Sequence, residues 1–269
     1  MATGLLLFSS CSKNFLEQPP LGVLSPAVIT NKAGVESLLI GAYSLLDGFG
    51  GNGQGTRSPG SNWVIGSMAA GDAYKGSTPS DGAADVQPIQ LFNMTTSNTA
   101  VSAKYLLCFD GVQRSNDVLK NVAKAKDIPE NDATRITAEA RFLRGFYYFE
   151  LKKIYDRVPY IDENTTDYNQ PNDKDIWPAI EADLQFAAEN LPPVQTQKGR
   201  VNSWAAMAYL AKAYMFQDKY ADALPLFTRL INEGVTTSGQ KYQLVGFQQN
   251  FSPQANQKNG PESVFAAQS

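Results

Sequence analysis

Residues 134–160 read TRITAEARFLRGFYYFELKKIYDRVPY, the most strongly patterned stretch of the chain. Ile136, Ala140, Leu143, Tyr147, Leu151 and Ile154 recur at steps of three and four, which puts them on one face of a helix. Phe142, Phe146 and Phe149 repeat the same steps beside them. An apolar stripe of that width has to be covered from two sides, so the spacing predicts a core helix with helical neighbours. Asn131 or Asp132 is the expected N-terminal cap. Pro159 is the expected stop, because proline lacks the amide donor and fixes φ. Arg135 and Glu139 stand four apart and are expected as a small ion pair on the polar side. The aromatic run at 146–149 reads as packing, not as a cofactor box.

The frame around this stretch excludes several kinds of chemistry. The chain has 269 residues, is 43% hydrophobic and carries a net charge of -3, enough for a sizeable core. Without a basic block it has little electrostatic reason to bind nucleic acid. It contains no histidine, so histidine-dependent triads and HExxH metal sites are excluded. Carboxylate-only catalysis remains open. No cofactor or metal is expected. Of the two cysteines, Cys108 sits in the apolar run AKYLLCFDGV, where a free thiol behaves as a small hydrophobe.

Cys11 follows GLLLFSS, an apolar segment too short to span a bilayer. Small residues just before a cysteine resemble a bacterial lipoprotein signal, in which that cysteine becomes the acylated first residue. Residues 1–10 are therefore expected as signal peptide, and 11–30 as a lipidated tether kept extended by Pro19, Pro20 and Pro26. Several acyl chains on Cys11 would hold the protein at a membrane.

Further helices are expected over 31–46, capped by Thr30 or Asn31, and over 100–125, 173–190, 201–217 and 219–233. Trp177 is expected to pack at a helix entry. Arg114 and Asn116 either tie neighbouring loops or face solvent. Between the first two helices lies a loop-rich insertion, 47–99. Its glycines 51, 53 and 55 lack the GxGxxG spacing and a preceding strand, so they read as a surface loop. Its second part, broken by Pro79 and Pro88, carries Asn62, Trp63, Asp72 and Tyr74. Long irregular insertions in helical proteins are where binding concentrates, and these four are the candidate ligand-binding residues.

Tyr220, Ala223 and Phe227 have the Y-x2-A-x3-F spacing of a tetratricopeptide second helix, where the alanine lets two helices approach and the aromatic fills the next groove. Helix pairs within 100–234 are thus expected to stack into a small superhelix. Pro225 is expected to kink or restart the last helix. Residues 263–268 look like the start of a strand with nothing after it to pair, as in a fragment of a longer protein.

Four stretches together resemble the SusD/RagB family of outer-membrane nutrient-binding lipoproteins. They are CSKNFLEQPP, AEARFLRGFYYFELKKIYDRVPYI, the block from IEADLQFAAENLPP to ADALPLFTRLINEG, and PESVFAAQ. The run AKYLLCFDGVQRSNDVL is similar to a further family helix, with Tyr105 where tryptophan is common. The resemblance implies a mostly α protein of tetratricopeptide-like helix pairs in a right-handed superhelix, with 31–269 as its N-terminal part. It also implies a cell-surface glycan-binding protein, not an enzyme, that works beside a SusC-like, TonB-dependent outer-membrane transporter. Two other classes stay open: a tetratricopeptide-type scaffold for a protein partner, and a glycoside hydrolase with two carboxylates at ~5–9 Å.

Overall fold

A computed structural model describes residues 25–48, 58–76, 78, 84–252, 254 and 258–268. The expected signal peptide, Cys11 and the glycines at 51, 53 and 55 lie outside the described residues. Where an extended tether was expected, Pro26 opens a one-turn helix, Pro26–Ile29, with the proline in the first turn, where its missing donor costs nothing.

Six longer helices follow: α1 (Lys32–Tyr43), α2 (Thr99–Val122), α3 (Glu130–Tyr155), α4 (Trp177–Asn190), α5 (Ser203–Met215) and α6 (Tyr220–Glu233). No strand forms among the described residues, where Val235 and Lys241 make one isolated bridge. From α2 onward each helix packs against the next, and α1 lies across α2 and α3. Asparagine side chains cap three of them. Asn31 accepts from Gly34 N–H, Asn98 from Ala100 and Val101, and Asn202 from Ala205.

Helix α3 is the spine, about 39 Å long, with Ile136, Phe142, Leu143, Tyr147, Phe149 and Leu151 all fully buried. Its ends differ from expectation. It starts directly after Pro129 with no side-chain cap, so Asn131 and Asp132 fall inside the first turn. There Glu130 and Asp132 favour the helix dipole without capping. It stops at Asp156, whose φ of 56° turns the chain three residues before Pro159. Gly111 of α2 lets the two long helices approach: a Cβ there would lie 2.5 Å from the Tyr147 ring. The Tyr147 hydroxyl in turn donates to Ala42 C=O of α1 at 2.6 Å.

Glu139 is no surface partner. It is fully buried and accepts from Arg135 (2.6 Å), Arg200 (3.0 Å) and the Tyr43 hydroxyl (2.8 Å), joining α1, α3 and the loop before α5. Arg144, also buried, clamps Asp183 of α4 with two bonds of 2.7 and 2.9 Å and donates to Asn116 Oδ1. Asn116 then donates to Ile161 C=O and Arg114 to Gly41 C=O, so both polar residues of α2 tie loops and neighbours together.

Helices α5 and α6 form the expected tight pair, with Ala223 buried at their contact. Phe227 departs from expectation: it remains 36% exposed, because in place of a further long helix it faces a shallow groove lined by Tyr242, Leu244, Pro261 and Val264. Pro225 does not restart α6, which runs through it as one helix. Residues 263–268 are not a strand. Val264 and Phe265 instead pack on the core, with Phe265 edge-on to Phe142 at 5.3 Å.

Candidate functional site

Residues 58–76 and 84–98 form a layer over the ends of α2 and α3. Val64, Met68, Val86 and Ile89, with Ala100 of α2, build a small core of their own, separate from the main one. Within this layer Trp63–Met68 winds as a single wide π turn, in which Ser67 N–H reaches back to Asn62 C=O at 3.0 Å. Wide turns of this kind are frequent at functional sites. A second long step follows, Asp72 N–H to Ser67 C=O at 2.9 Å, which folds Asp72 back onto the turn that carries Trp63.

All four residues singled out in the sequence thus lie on one segment, on its outer side. Trp63 is 40% exposed and Tyr74 72% exposed, while Val64 and Met68 point inward. Asp72 is exposed as well. Asn62 is partly committed, since its Oδ1 accepts from Lys153 (3.3 Å) and Lys104 (3.5 Å). Its amide nitrogen remains to donate. An apolar groove of about 830 Å³ runs beside the segment between Ile65, Phe92, Met94, Tyr105 and Leu106, and none of the four lines it.

What holds this segment in place is a residue that sequence reading passed over. Lys104 of α2 is buried, and its Nζ donates to Ser61 C=O at 2.6 Å and Pro59 C=O at 3.2 Å. It also lies 3.3 Å from Oε2 of Glu150, itself buried, as an ion pair. Burial pushes the Lys104 ammonium below the usual lysine range, against the opposing pull of Glu150. Glu150 also takes Lys153 at 2.7 Å. A signal was present: Lys104 falls between Val101 and Cys108 on the apolar side of its helix, where a charge must find a partner.

Phe149, fully buried, is the centre of a second cluster. Lys153 Nζ and Lys212 Nζ lie 5.3 and 5.5 Å from its ring centroid, and Phe216 and Trp177 meet it edge-on at 5.1 and 5.9 Å. Trp177 is partly buried here, the packing role expected of it. The buried carboxylates Glu139, Glu150 and Asp183 are each engaged by cations, and among the described residues no group of acids or cysteines is arranged to hold a metal.

A stack of α-helices holding an irregular, aromatic-bearing layer at one end defines a helical scaffold with a presented surface. The family follows from comparison. Residues 62–215 match the model of SusD-like proteins described as starch-binding and associating with the outer membrane, and the chain belongs to that family. A SusD-like protein, P2, of Formosa agariphila is 27% identical over 228 residues, 81% of this chain and 43% of that protein. A SusD-like protein of Bacteroides ovatus is 29% identical over 80% of this chain and 38% of its own length. Among solved structures, a laminarin-binding SusD-like protein superimposes with a TM-score of 0.73 at 26% identity over 88% of this chain and 51% of that one. Surface glycan-binding protein A from Bacteroides fluxus does so with 0.73 at 25% identity, over 88% and 50%. The chain therefore spans about half the length of these proteins, or less.

Proposed function

We propose that this chain is part of a cell-surface protein that binds an oligosaccharide and delivers it to a TonB-dependent, SusC-like outer-membrane transporter, held at the membrane through lipid on Cys11, without catalysing a reaction. The single observation that carries the reading is the outward face of the 58–76 segment. There Trp63 and Tyr74 offer rings and Asn62 and Asp72 offer polar groups, on a base locked by Lys104. Rings of this kind stack on sugar faces while amide and carboxylate groups select hydroxyls, which orients a ligand without chemistry. The likeness to a laminarin-binding protein supports the same reading.

Titration calorimetry with laminarin oligosaccharides tests it. The double substitution Trp63→Ala, Tyr74→Ala is expected to weaken binding by at least about tenfold, since stacked rings contribute on the order of 1 kcal/mol each. Unchanged affinity would remove both residues from the site.

A second reading, a tetratricopeptide-type scaffold for a protein partner, is favoured by one feature. Leu224 and Ile231 of α6 are 67% and 71% exposed on the face that also carries Phe227. Pull-down from detergent-solubilised outer membranes discriminates the two: a transporter barrel is expected under the first reading, and a different protein partner without sugar binding under the second. Recovery of a transporter barrel by the parent chain, lost on Leu224→Asp with Ile231→Asp while sugar binding persists, would assign protein docking to α6 and sugar to the loop layer.

A further inference from the structure

We infer that the patch formed by Lys153, Lys212, Phe216 and Asn62 takes an acidic sugar, so that the oligosaccharide bound by this face carries carboxylate or sulfate groups. The inference rests on the glycan-binding reading above and narrows its ligand class.

The argument is one of charge and shape. Lys104 and Lys153 share a single carboxylate, that of Glu150, and it is also the acid whose charge acts on Lys212. Glu150 is taken up by Lys104 at 3.3 Å and Lys153 at 2.7 Å, and Lys212 forms no ion pair among the described residues. Lys212 instead rests against two aromatic rings, 5.5 Å from the Phe149 centroid and 5.7 Å from that of Tyr209. In a chain whose net charge is -3, this is a local excess of positive charge placed on apolar ground. Lys212 is an exposed residue whose stem lies on the rings; the charged groups facing it are Lys153 and Glu150, and partial desolvation followed by Lys153 holds its ammonium below the ordinary lysine range. An anion seated there would relieve that repulsion.

The shape suits a sugar. Phe216 follows Lys212 by four residues at the end of α5, and its ring is 51% exposed while touching Phe149 edge-on. An open aromatic ring beside an unpaired ammonium offers a stacking platform and a counter-charge together. Asn62, bonded to Lys153 at 3.3 Å, ties the patch to the segment that presents Trp63.

Titration calorimetry of the 269-residue chain with oligogalacturonides, sulfated carrageenan oligosaccharides and neutral laminarin oligosaccharides tests the inference and separates the two acids. At low salt at least one acidic series is expected to bind about tenfold tighter than laminarin, with the advantage shrinking as salt rises. Lys212→Gln is expected to lower that affinity several-fold and flatten its salt dependence, whereas Lys126→Gln, outside the patch, leaves it unchanged. Because Lys153→Gln disturbs the buried Glu150, the independent measurement is the Lys212 side-chain titration by NMR, which should move up when the acidic oligosaccharide is added. Laminarin bound as tightly as both acidic series, or a Lys212 titration unmoved by them, overturns the inference. If laminarin binds through Trp63 and Tyr74 while both acidic series are ignored, the charge inference falls and the glycan reading stands. Binding of none of the three sinks both.

Discussion

Arg144 shows how much a single side chain can decide in this protein. It is buried in the heart of the spine, and Asp183 with Glu163 and Asn116 satisfies its guanidinium, which burial alone would have disfavoured. Removing the partner strands the charge. Asp183→Ala is expected to cost about 3–5 kcal/mol, read as a lower urea midpoint, and an unshifted midpoint would show that the pair contributes nothing net. Cys108 makes the opposite case, a titratable group sealed among apolar neighbours. Burial pushes its thiol up to about 12 from an ordinary 9.0. The folded state therefore keeps the proton, and this contribution to stability is complete below about pH 9 and is lost as pH climbs towards 12. In a Cys11→Ser chain, iodoacetamide at pH 8.5 should leave Cys108 unmodified until denaturant is added. Rapid labelling of the native protein would contradict the burial.

Among the elements, the contact of α2 with α3 depends on the absence of one side chain. Gly111 faces Tyr147 so closely that a Cβ would sit 2.5 Å from the ring, and the ring is pinned by its bond to Ala42. Gly111→Ala is expected to destabilise by roughly 1–3 kcal/mol, despite alanine's better helix propensity. Equal or higher thermal stability would mean that the ring has room to move. Helix α6 holds the converse fault. Pro225 leaves the carbonyl of Ala221 without its helical donor, yet packing of Ala223 and Leu230 keeps the helix whole. Pro225→Ala should restore that bond and raise the melting temperature, and a fall would show that the proline shapes α6 usefully.

For the whole molecule, the loop layer has a small core of its own beside that of the helical stack, and Lys104 is a buried tie between the two. Its bonds to Ser61 and Pro59 carbonyls fix where Asn62 and Trp63 begin. Lys104→Met keeps the stem and removes the donors. It is expected to raise amide hydrogen exchange across 58–76 while α3 stays protected. Uniform exchange over both regions, or none, would deny Lys104 this role.

The helical class and the stacking of pairs were legible in the sequence, because a stripe repeating every three to four residues can be buried only by neighbouring helices. The resemblance to SusD-like proteins was legible for the same reason, since its segments are mostly those core helices. Helix ends were less so. The stop at Asp156 rests on a backbone turn with positive φ that no residue type announces, and the cap foreseen at Asn131 or Asp132 gave way to a start at Pro129. Trp63 and Tyr74 could be found as aromatics in an irregular stretch, but their outward direction depends on Val64 and Met68 being drawn inward by Val86 and Ile89. Only the tertiary structure put Glu139 inside, joined Lys104 to carbonyls 43 and 45 residues away in the chain, and gathered Lys153, Lys212 and Phe216 around Phe149. Periodicity along one helix reports which face is buried. Which charge meets which, across helices far apart in sequence, is decided by the packing that brings those faces together.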